Sequence, residues 1–197
     1  IDSKNDKITF RTRKGHQIFG LSEIEEEIRR IYIPHVRYSV DIILDGEITV
    51  LNDYEISDVF NATSKIITKK DNSPKTGLKF NLFDYILYDE FIKGKSKNKY
   101  SDRRLAIDSA FNDLFDKHEP KFFVNVPALY SGSDKNEIAK WSDWATQQGH
   151  EGIMLNTADG FYETKRNSGL LKVKKFHSCD GLIRGVYSGK KGTKYEN

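Results

Sequence analysis

Alternation of apolar and polar residues predicts strands in several separate parts of the chain. Segments of this kind are "KITFRTR" (7–13), "LKFNLFDYIL" (78–87) and "LLKVKKF" (170–176). "KFFVNVPAL" (121–129), "GIMLN" (152–156) and "GFYETK" (160–165) are also read as strands. A period of two is typical of strands with one buried face. Residues 38–52, "YSVDIILDGEITVLN", read either as two short strands or as one bent strand around Asp45-Gly46.

Three segments instead have the spacing of an amphipathic helix. They are residues 21–31, 101–115 and 133–149, in which apolar side chains recur every three or four positions. Residues 62–78 end in a polar connector with Pro74 and Gly77. Strands and helices do not alternate regularly, so the pattern predicts an α+β fold with antiparallel sheets flanked by helices.

Composition narrows the class of protein. The 197 residues are 37% hydrophobic and 12% aromatic, enough for a folded core. A net charge of +3 with 31% charged residues permits nucleic-acid binding without requiring it. The single Cys179 excludes an internal disulfide and fits a reducing, cytoplasmic compartment. The sequence has no membrane-length apolar run, and its N-terminal residues have no signal-peptide character.

Carboxylates, lysines and an aromatic are the candidate chemical groups, because the sequence has no Gly-rich phosphate loop, Cys/His cluster or serine elbow. Glu47 in "LDGE" and Glu151 in "HEGIML" each lie beside a glycine, where a ligand can approach the backbone. The alternative is that both are exposed acids of ordinary hairpin turns.

Lys172 and Lys174 are two residues apart in a predicted strand, so both side chains point to one face. They could bind an anion, or they could protect a strand edge from pairing with another chain. Phe83 is most simply a core residue, and becomes a stacking surface only if a nucleotide lies beside it.

The order of these motifs along the chain resembles that of a known protein family. "TRKG", "LDGE", "FNLFDY", "EGIML" and "LLKVKK" follow one another along nearly the whole chain. In this order they resemble the covalent nucleotidyltransferases, and most closely the ATP-dependent DNA ligases of phages and large DNA viruses. The resemblance implies a nucleotidyltransferase, ATP-grasp-like catalytic domain at 1–177, followed at 178–197 by a linker and the first strand of a truncated OB-fold.

The resemblance also implies catalytic roles. In the family a lysine attacks the α-phosphate of ATP, AMP passes to a DNA 5′-phosphate, and the 3′-hydroxyl at the nick displaces AMP. Lys172 and Lys174 match the motif that supplies cations to the α-phosphate. Glu151 matches the acid that holds a divalent cation, expected to be Mg²⁺. Glu47 matches the acid that contacts the ribose hydroxyl or supports the metal.

Three further residues match binding positions of the family. Phe83 matches the aromatic residue that stacks on adenine. Arg13 matches an arginine able to grip a nucleotide or DNA phosphate. Arg166 is a candidate for a DNA phosphate contact, and an ordinary surface arginine is the alternative.

The sequence departs from the family at the nucleophile. The family carries it in a "KxDG" motif, and "KNDK" at 4–7 does not match, because no Asp-Gly follows its first lysine. We expect Ile1 to lie just past the nucleophile, so this chain should not adenylate itself. Asn156 also stands where the family commonly has lysine.

The leading hypothesis is the catalytic domain of a monomeric ATP-dependent ligase that seals nicked duplex DNA. An RNA ligase of the same superfamily is the nearest alternative, and the capping-enzyme interpretation fits "FNLFDY" and "GVYSGKKG" less well. A non-catalytic nucleotide- or DNA-binding module is the alternative from another class.

Overall fold

The computed structural model describes residues 1–31, 40–52, 58–69, 72–115, 119–174, 180–189 and 191–192. Within them it has five helices: α1 Ser22–Ile31, α2 Val59–Ile67, α3 Tyr88–Ile92, α4 Tyr100–Phe115 and α5 Asn136–Gln147. Its nine strands are β1 Phe10–Arg11, β2 Gln17–Ile18, β3 Ile42–Val50, β4 Leu78–Leu87, β5 Lys95–Lys99, β6 Phe123–Asn125, β7 Gly152–Asn156, β8 Phe161–Glu163 and β9 Leu170–Lys174.

The largest sheet among these residues has the order β3-β4-β6. β3 and β4 are antiparallel, whereas β6 runs parallel to β4, with Phe80 opposite Phe123. The predicted α+β class is confirmed, but the expectation of antiparallel pairing is wrong for β6. The reason is the connection: the chain passes through β5 and α4 between β4 and β6, which is long enough for a parallel return.

The hydrophobic core covers one face of this sheet. Leu78, Phe80 and Leu82 point into it from alternate positions of β4, as the pattern predicted. Helices α1 and α4 pack over them, and the other buried members are Leu21, Ile24, Ile28, Ile42, Val50, Ile107, Phe111 and Phe123. Full burial of each such side chain contributes roughly 1.5–3 kcal/mol, so this core fixes the sheet that carries the polar face opposite.

Three two-stranded sheets surround the central one, and all are antiparallel: β1-β2, β5-β8 and β7-β9. β1-β2 is a short hairpin in which Phe10 pairs with Ile18 and Arg11 with Gln17. β7-β9 pairs "GIMLN" with the lysine strand over five residues, from Gly152↔Lys174 to Asn156↔Leu170. Helix α5 packs against β7.

Residues 42–50 form one strand rather than two. β3 runs unbroken from Ile42 to Val50, and its pairing with β4 shifts register between Asp45 and Gly46. The alternative that places both acids in ordinary hairpin turns is therefore wrong for Glu47, because "DG" lies inside a paired strand here.

The structure gives residues 180–189 no helix or strand, and residues 180–188 are exposed. The first OB-fold strand and the domain division at 177/178 therefore stay predictions. None of the helices in the described ranges has the length and apolar character needed to cross a membrane.

Candidate functional site

Glu151, Lys172 and Lys174 come together at one end of the β7-β9 sheet. Glu151 directly precedes β7, and the strand register places Gly152 opposite Lys174 and Met154 opposite Lys172. Lys172 Nζ lies 2.7 Å from one carboxylate oxygen of Glu151, and Lys174 Nζ lies 3.3 Å from the other. One carboxylate therefore bridges both ammonium groups; we call these three residues the Glu151 cluster.

The Glu151 cluster is open to solvent. The side chains of Glu151, Lys172 and Lys174 are 64%, 47% and 39% exposed. The pKa of the Glu151 carboxyl lies below its usual value, first because Lys172 donates a hydrogen bond to it and then because Lys174 does. Exposed ion pairs of this kind contribute little stability, so a phosphate can compete with the carboxylate for the lysines.

The polar face of β3 and β4 forms the second part of the site. Glu47 is opposite Asn81, whose side-chain amide donates to the Glu47 carbonyl and to Thr49 Oγ1, each at 3.1 Å. Because side chains alternate along a strand, Glu47 and Asn81 lie on the face away from the core. Glu47 is exposed there.

Phe83 lies on the same face, at an irregularity in the sheet. Leu82 is opposite Gly46 and Asp84 is opposite Asp45, so Phe83 is the extra residue of a β-bulge. Its side chain is 40% exposed. The interpretation of Phe83 as a core residue is thus wrong, because its neighbours Leu82 and Asp84 are buried and Phe83 is not.

Arg13 lies in the exposed turn between β1 and β2, where its positive charge favours the ionised form of Asp45. Other influences on the pKa of Asp45 outweigh the charge of Arg13. Solvent reaches part of the Asp45 residue, yet its pKa is raised, chiefly by desolvation and also by the charge of Asp84. A hydrogen bond from Tyr162 acts in the opposite direction. Arg13 is therefore close enough to β3 to influence the polar face.

The predicted residues fall into two groups. Among the described residues, hydrogen bonds join Glu151 to the two lysines but not to Glu47, Phe83 or Arg13. Arg166 lies in the exposed loop between β8 and β9. A ligand that used all of these residues would have to extend from the β7-β9 sheet to the β3-β4 face.

Comparison with known proteins decides the family. Residues 1–174 match the model of the "ATP dependent DNA ligase domain" family. The chain belongs to this family.

Two similar proteins come from a virus and a phage. This ligase domain is 23% identical to the DNA ligase of African swine fever virus over 92% of the chain and 40% of that protein. It is 26% identical to the DNA ligase of enterobacteria phage T3 over 42% of the chain and 24% of that protein. The chain therefore spans less than half of these curated relatives.

A solved relative supports the fold. The ATP-dependent DNA ligase of bacteriophage T7, solved in complex with ATP, superposes with a TM-score of 0.65 at 19% identity. The match covers 97% of this chain and 63% of the T7 chain. The predicted ligase catalytic-domain fold is confirmed.

Met154 is a residue of the ligase domain that sequence reasoning missed. It is 50% exposed, and it shares a sheet face with Lys172 because the two are directly opposite across β7 and β9. The sequence alone did not show which residue of "GIMLN" pairs with Lys172. The register makes Met154 an apolar surface beside the cationic one.

Both tryptophans of the ligase domain lie on α5, near the Glu151 cluster. Trp141 and Trp144 meet edge to face with ring centroids 5.8 Å apart, and Trp144 lies 6.1 Å from the His150 ring. The backbone amide of His150 donates to the carbonyl of Ala145, which fixes the turn that leads into Glu151.

Proposed function

We propose that this ligase domain binds ATP and transfers its adenylyl group in an enzyme that seals nicks in duplex DNA. The observation that carries the proposal is the Glu151 cluster, in which two lysines and one carboxylate meet at an exposed sheet end. Family membership supports the reaction class.

Lys172 and Lys174 bind and neutralise the α-phosphate. Their spacing on β9 directs both ammonium groups to one side, where Glu151 now accepts from them. Negative charge grows on the non-bridging phosphate oxygens as the phosphorus is attacked, and fixed cations stabilise that charge. When ATP binds, its phosphate takes the place of the Glu151 carboxylate at the lysines.

The polar face of β3 and β4 binds the nucleoside. Phe83 offers an exposed ring for adenine, and Glu47 offers a carboxylate that can accept hydrogen bonds from ribose hydroxyls. Met154 supplies an apolar contact beside the phosphate site. Arg13 is placed to bind a phosphate of the nucleotide or of DNA, and Arg166 to bind DNA.

Magnesium fits this site only with the help of substrate. Among the described residues, no three His, Cys, Asp or Glu side chains cluster in a way that could hold a metal alone. Mg²⁺ usually needs only one or two carboxylates together with phosphate oxygens, so Glu151, supported by Glu47, fits that requirement once released from the lysines. When bound, the ion withdraws charge from the phosphate oxygens.

Binding of ATP to the chain described here tests the nucleotide site. Lys172→Ala should weaken ATP binding about tenfold, the loss of one charge-assisted phosphate contact worth ~1.5 kcal/mol. Lys140→Ala is the matched control, because Lys140 is also an exposed lysine paired with a glutamate, Glu137. Titration calorimetry measures both; equal affinity in the two variants would contradict the proposal.

The reaction is tested in a form of the protein that includes a "KxDG" lysine. We expect a covalent AMP adduct with labelled ATP and faster sealing of nicked DNA than of nicked RNA. Faster sealing of RNA would identify an RNA ligase. ATP binding without any adduct in that form would identify a non-catalytic binding module.

A further inference from the structure

A buried polar network lies beneath the bulge that exposes Phe83. Its centre is Arg103 of α4, whose side chain is only 4% exposed. The guanidinium donates to both oxygens of Asp84, from Nε at 2.8 Å and from Nη2 at 2.7 Å. Asp84 directly follows Phe83 on β4, so this fork holds the residue next to the bulge.

The remaining side of the guanidinium is also engaged. Nη1 donates to the Asn98 carbonyl at 2.6 Å and to Ser96 Oγ at 3.2 Å, both from β5. The rings of Tyr100 and Tyr162 lie 5.8 and 5.9 Å from Cζ. Acceptors and rings on several sides leave the fork little freedom to rotate, and a lysine could not reproduce its planar geometry.

The opposite strand is held by a second contact of the same network. Tyr162 of β8 donates its hydroxyl proton to Asp45 Oδ2 at 2.8 Å, and its backbone amide donates to Ser96 Oγ at 2.9 Å. Asp45 is the β3 partner of Asp84. Two acids thus face each other across the bulge, one held by Arg103 and the other by Tyr162.

Stability alone does not account for this arrangement. Desolvation of two charges often cancels the attraction between them, so a buried ion pair is a weak source of folding free energy. What a fully bonded guanidinium fork does supply is a fixed geometry. Here the Arg103 fork fixes the position of Asp84. Asp84 is one residue from the Phe83 ring that the proposed function places against the base.

We propose that Arg103 is a positioning residue of the nucleotide site, which holds the bulge in the conformation that presents Phe83 to the base. Arg103 does not touch the nucleotide; it acts through Asp84. The inference rests on the proposed function, because it requires that adenine stacks on Phe83.

The test compares Arg103→Lys with Arg104→Lys. Arg104 is the adjacent residue of α4, its side chain is 10% exposed, and it also pairs with an aspartate, Asp108. It also donates to Asn125 of β6, away from the bulge, and interacts with the Tyr100 hydroxyl. Binding of ATP and of inorganic tripolyphosphate is measured by calorimetry, and melting temperatures show the structural cost of each substitution.

Arg103→Lys should lower ATP affinity about tenfold, the range expected for the loss of one base–aromatic stack. Tripolyphosphate has no base, so its affinity should stay within about twofold. Arg104→Lys should leave both affinities within about twofold even where its melting temperature falls equally.

Phe83→Leu supplies a second readout. If Arg103 acts through Phe83, the two losses of ATP affinity should not add, and Arg103→Lys should cost less than about twofold in the Phe83→Leu background. The triphosphate of 2-aminopurine riboside, whose fluorescence falls on stacking, should be quenched by the parent chain but not by either variant.

Three outcomes would overturn the inference. They are wild-type ATP affinity in Arg103→Lys, equal losses for ATP and tripolyphosphate, and full additivity with Phe83→Leu. If Arg103→Lys does not fold, Tyr162→Phe removes one hydroxyl from the network and should lower ATP affinity about threefold; no change in that variant also overturns it. A parent chain that binds no ATP would instead refute the proposed function.

Discussion

Glu27 shows how one buried side chain connects distant parts of this fold. It lies on α1 with only 2% of its surface exposed, and its carboxylate accepts backbone N–H bonds from Lys121, Phe122 and Phe123. Arg30 lies 3.6 Å from the same carboxylate. Glu27 therefore ties α1 to the start of β6.

Glu27→Gln should lower the free energy of unfolding by roughly 3 kcal/mol. The reason is that an NH2 donor would replace one of the two carboxylate oxygens that now accept hydrogen bonds in this buried site. Glu26→Gln is the control, since the neighbouring Glu26 is exposed; it should change stability by less than about 0.5 kcal/mol. Guanidinium denaturation measures both, and similar midpoints would contradict the role assigned to Glu27.

Asp45 predicts an unusual pH dependence. Its folded-state pKa is raised, chiefly by desolvation, so its contribution to stability is present below the unfolded-state pKa and is lost as pH rises through the folded-state value. Asp45→Asn keeps an acceptor for the Tyr162 hydroxyl. It also removes the loss of stability that ionisation of Asp45 causes as pH rises. Its melting temperature should exceed that of the parent slightly at neutral pH, and the difference should vanish in acid.

Asp58 serves as the control with the opposite sign. Its pKa is lowered, first by a hydrogen bond from the Asn61 backbone amide, so its contribution is present above the unfolded-state pKa and is lost as pH falls through the folded-state value. Asp58→Asn should lower the melting temperature at neutral pH and not in acid. Parallel pH profiles for the two variants would refute both assignments.

At the scale of the element, alternation predicted β4 well but did not show its bulge. Phe80, Leu82 and Asp84 keep the period of two, so nothing in the local pattern marks Phe83 as an inserted residue. The bulge exists because Gly46 of β3 meets Leu82 while Asp45 meets Asp84. Such a register depends on tertiary contacts, which a single strand does not contain.

Gly46→Ala should destabilise β3 and β4. A Cβ at Gly46 would overlap the Asn81 carbonyl oxygen and lie 2.7 Å from Phe80 Cζ. We expect a loss of about 2 kcal/mol, typical of overpacking in a core. Gly181→Ala is the control, because a Cβ at Gly181 meets nothing within 4 Å. Equal unfolding midpoints in denaturant would show that the strands move apart at little cost.

Four elements lay outside the sequence prediction, namely α2, α3, β2 and β5. The first and the last of these were missed for different reasons. α2 is rich in β-branched residues and buries no residue fully, so it has a weak helical signal; the cap at Asp58 was the clue available. β5, "KSKNK", has no apolar residue to alternate. Its inward residue is Ser96, which is held by hydrogen bonds with Tyr162 and Arg103.

At the scale of the whole molecule, the candidate site is assembled from segments far apart in the chain. The motif order selected the candidate residues, and the structure brings Glu151 within hydrogen-bond distance of Lys172 and Lys174. The separate location of Phe83 and Glu47 on the β3-β4 face could not be read from that order. The order of the motifs indicates which residues are candidates. Which of these residues lie close together depends on how the strands pair.

Residues 181–197 should be dispensable for the stability of the described domain. Leu182, Ile183, Val186 and Tyr187 are each at least 79% exposed, so they contribute little buried surface. A chain that ends at Asp180 should keep its unfolding free energy within about 0.5 kcal/mol. Because exposed apolar side chains promote association, it should also scatter less light at high concentration. A large loss of stability would show that the tail packs on the domain.

The pairing of Trp141 with Trp144 gives the molecule a local optical reporter. These are the only two tryptophans in the sequence, and His150, beside Trp144, leads directly into Glu151. Indole emission from the folded chain therefore reports on α5 and the Glu151 end of the molecule, not on the central sheet. A spectral change on adding ATP would follow events at the lysines without a label, while the core around Phe80 and Phe123 would stay spectroscopically silent.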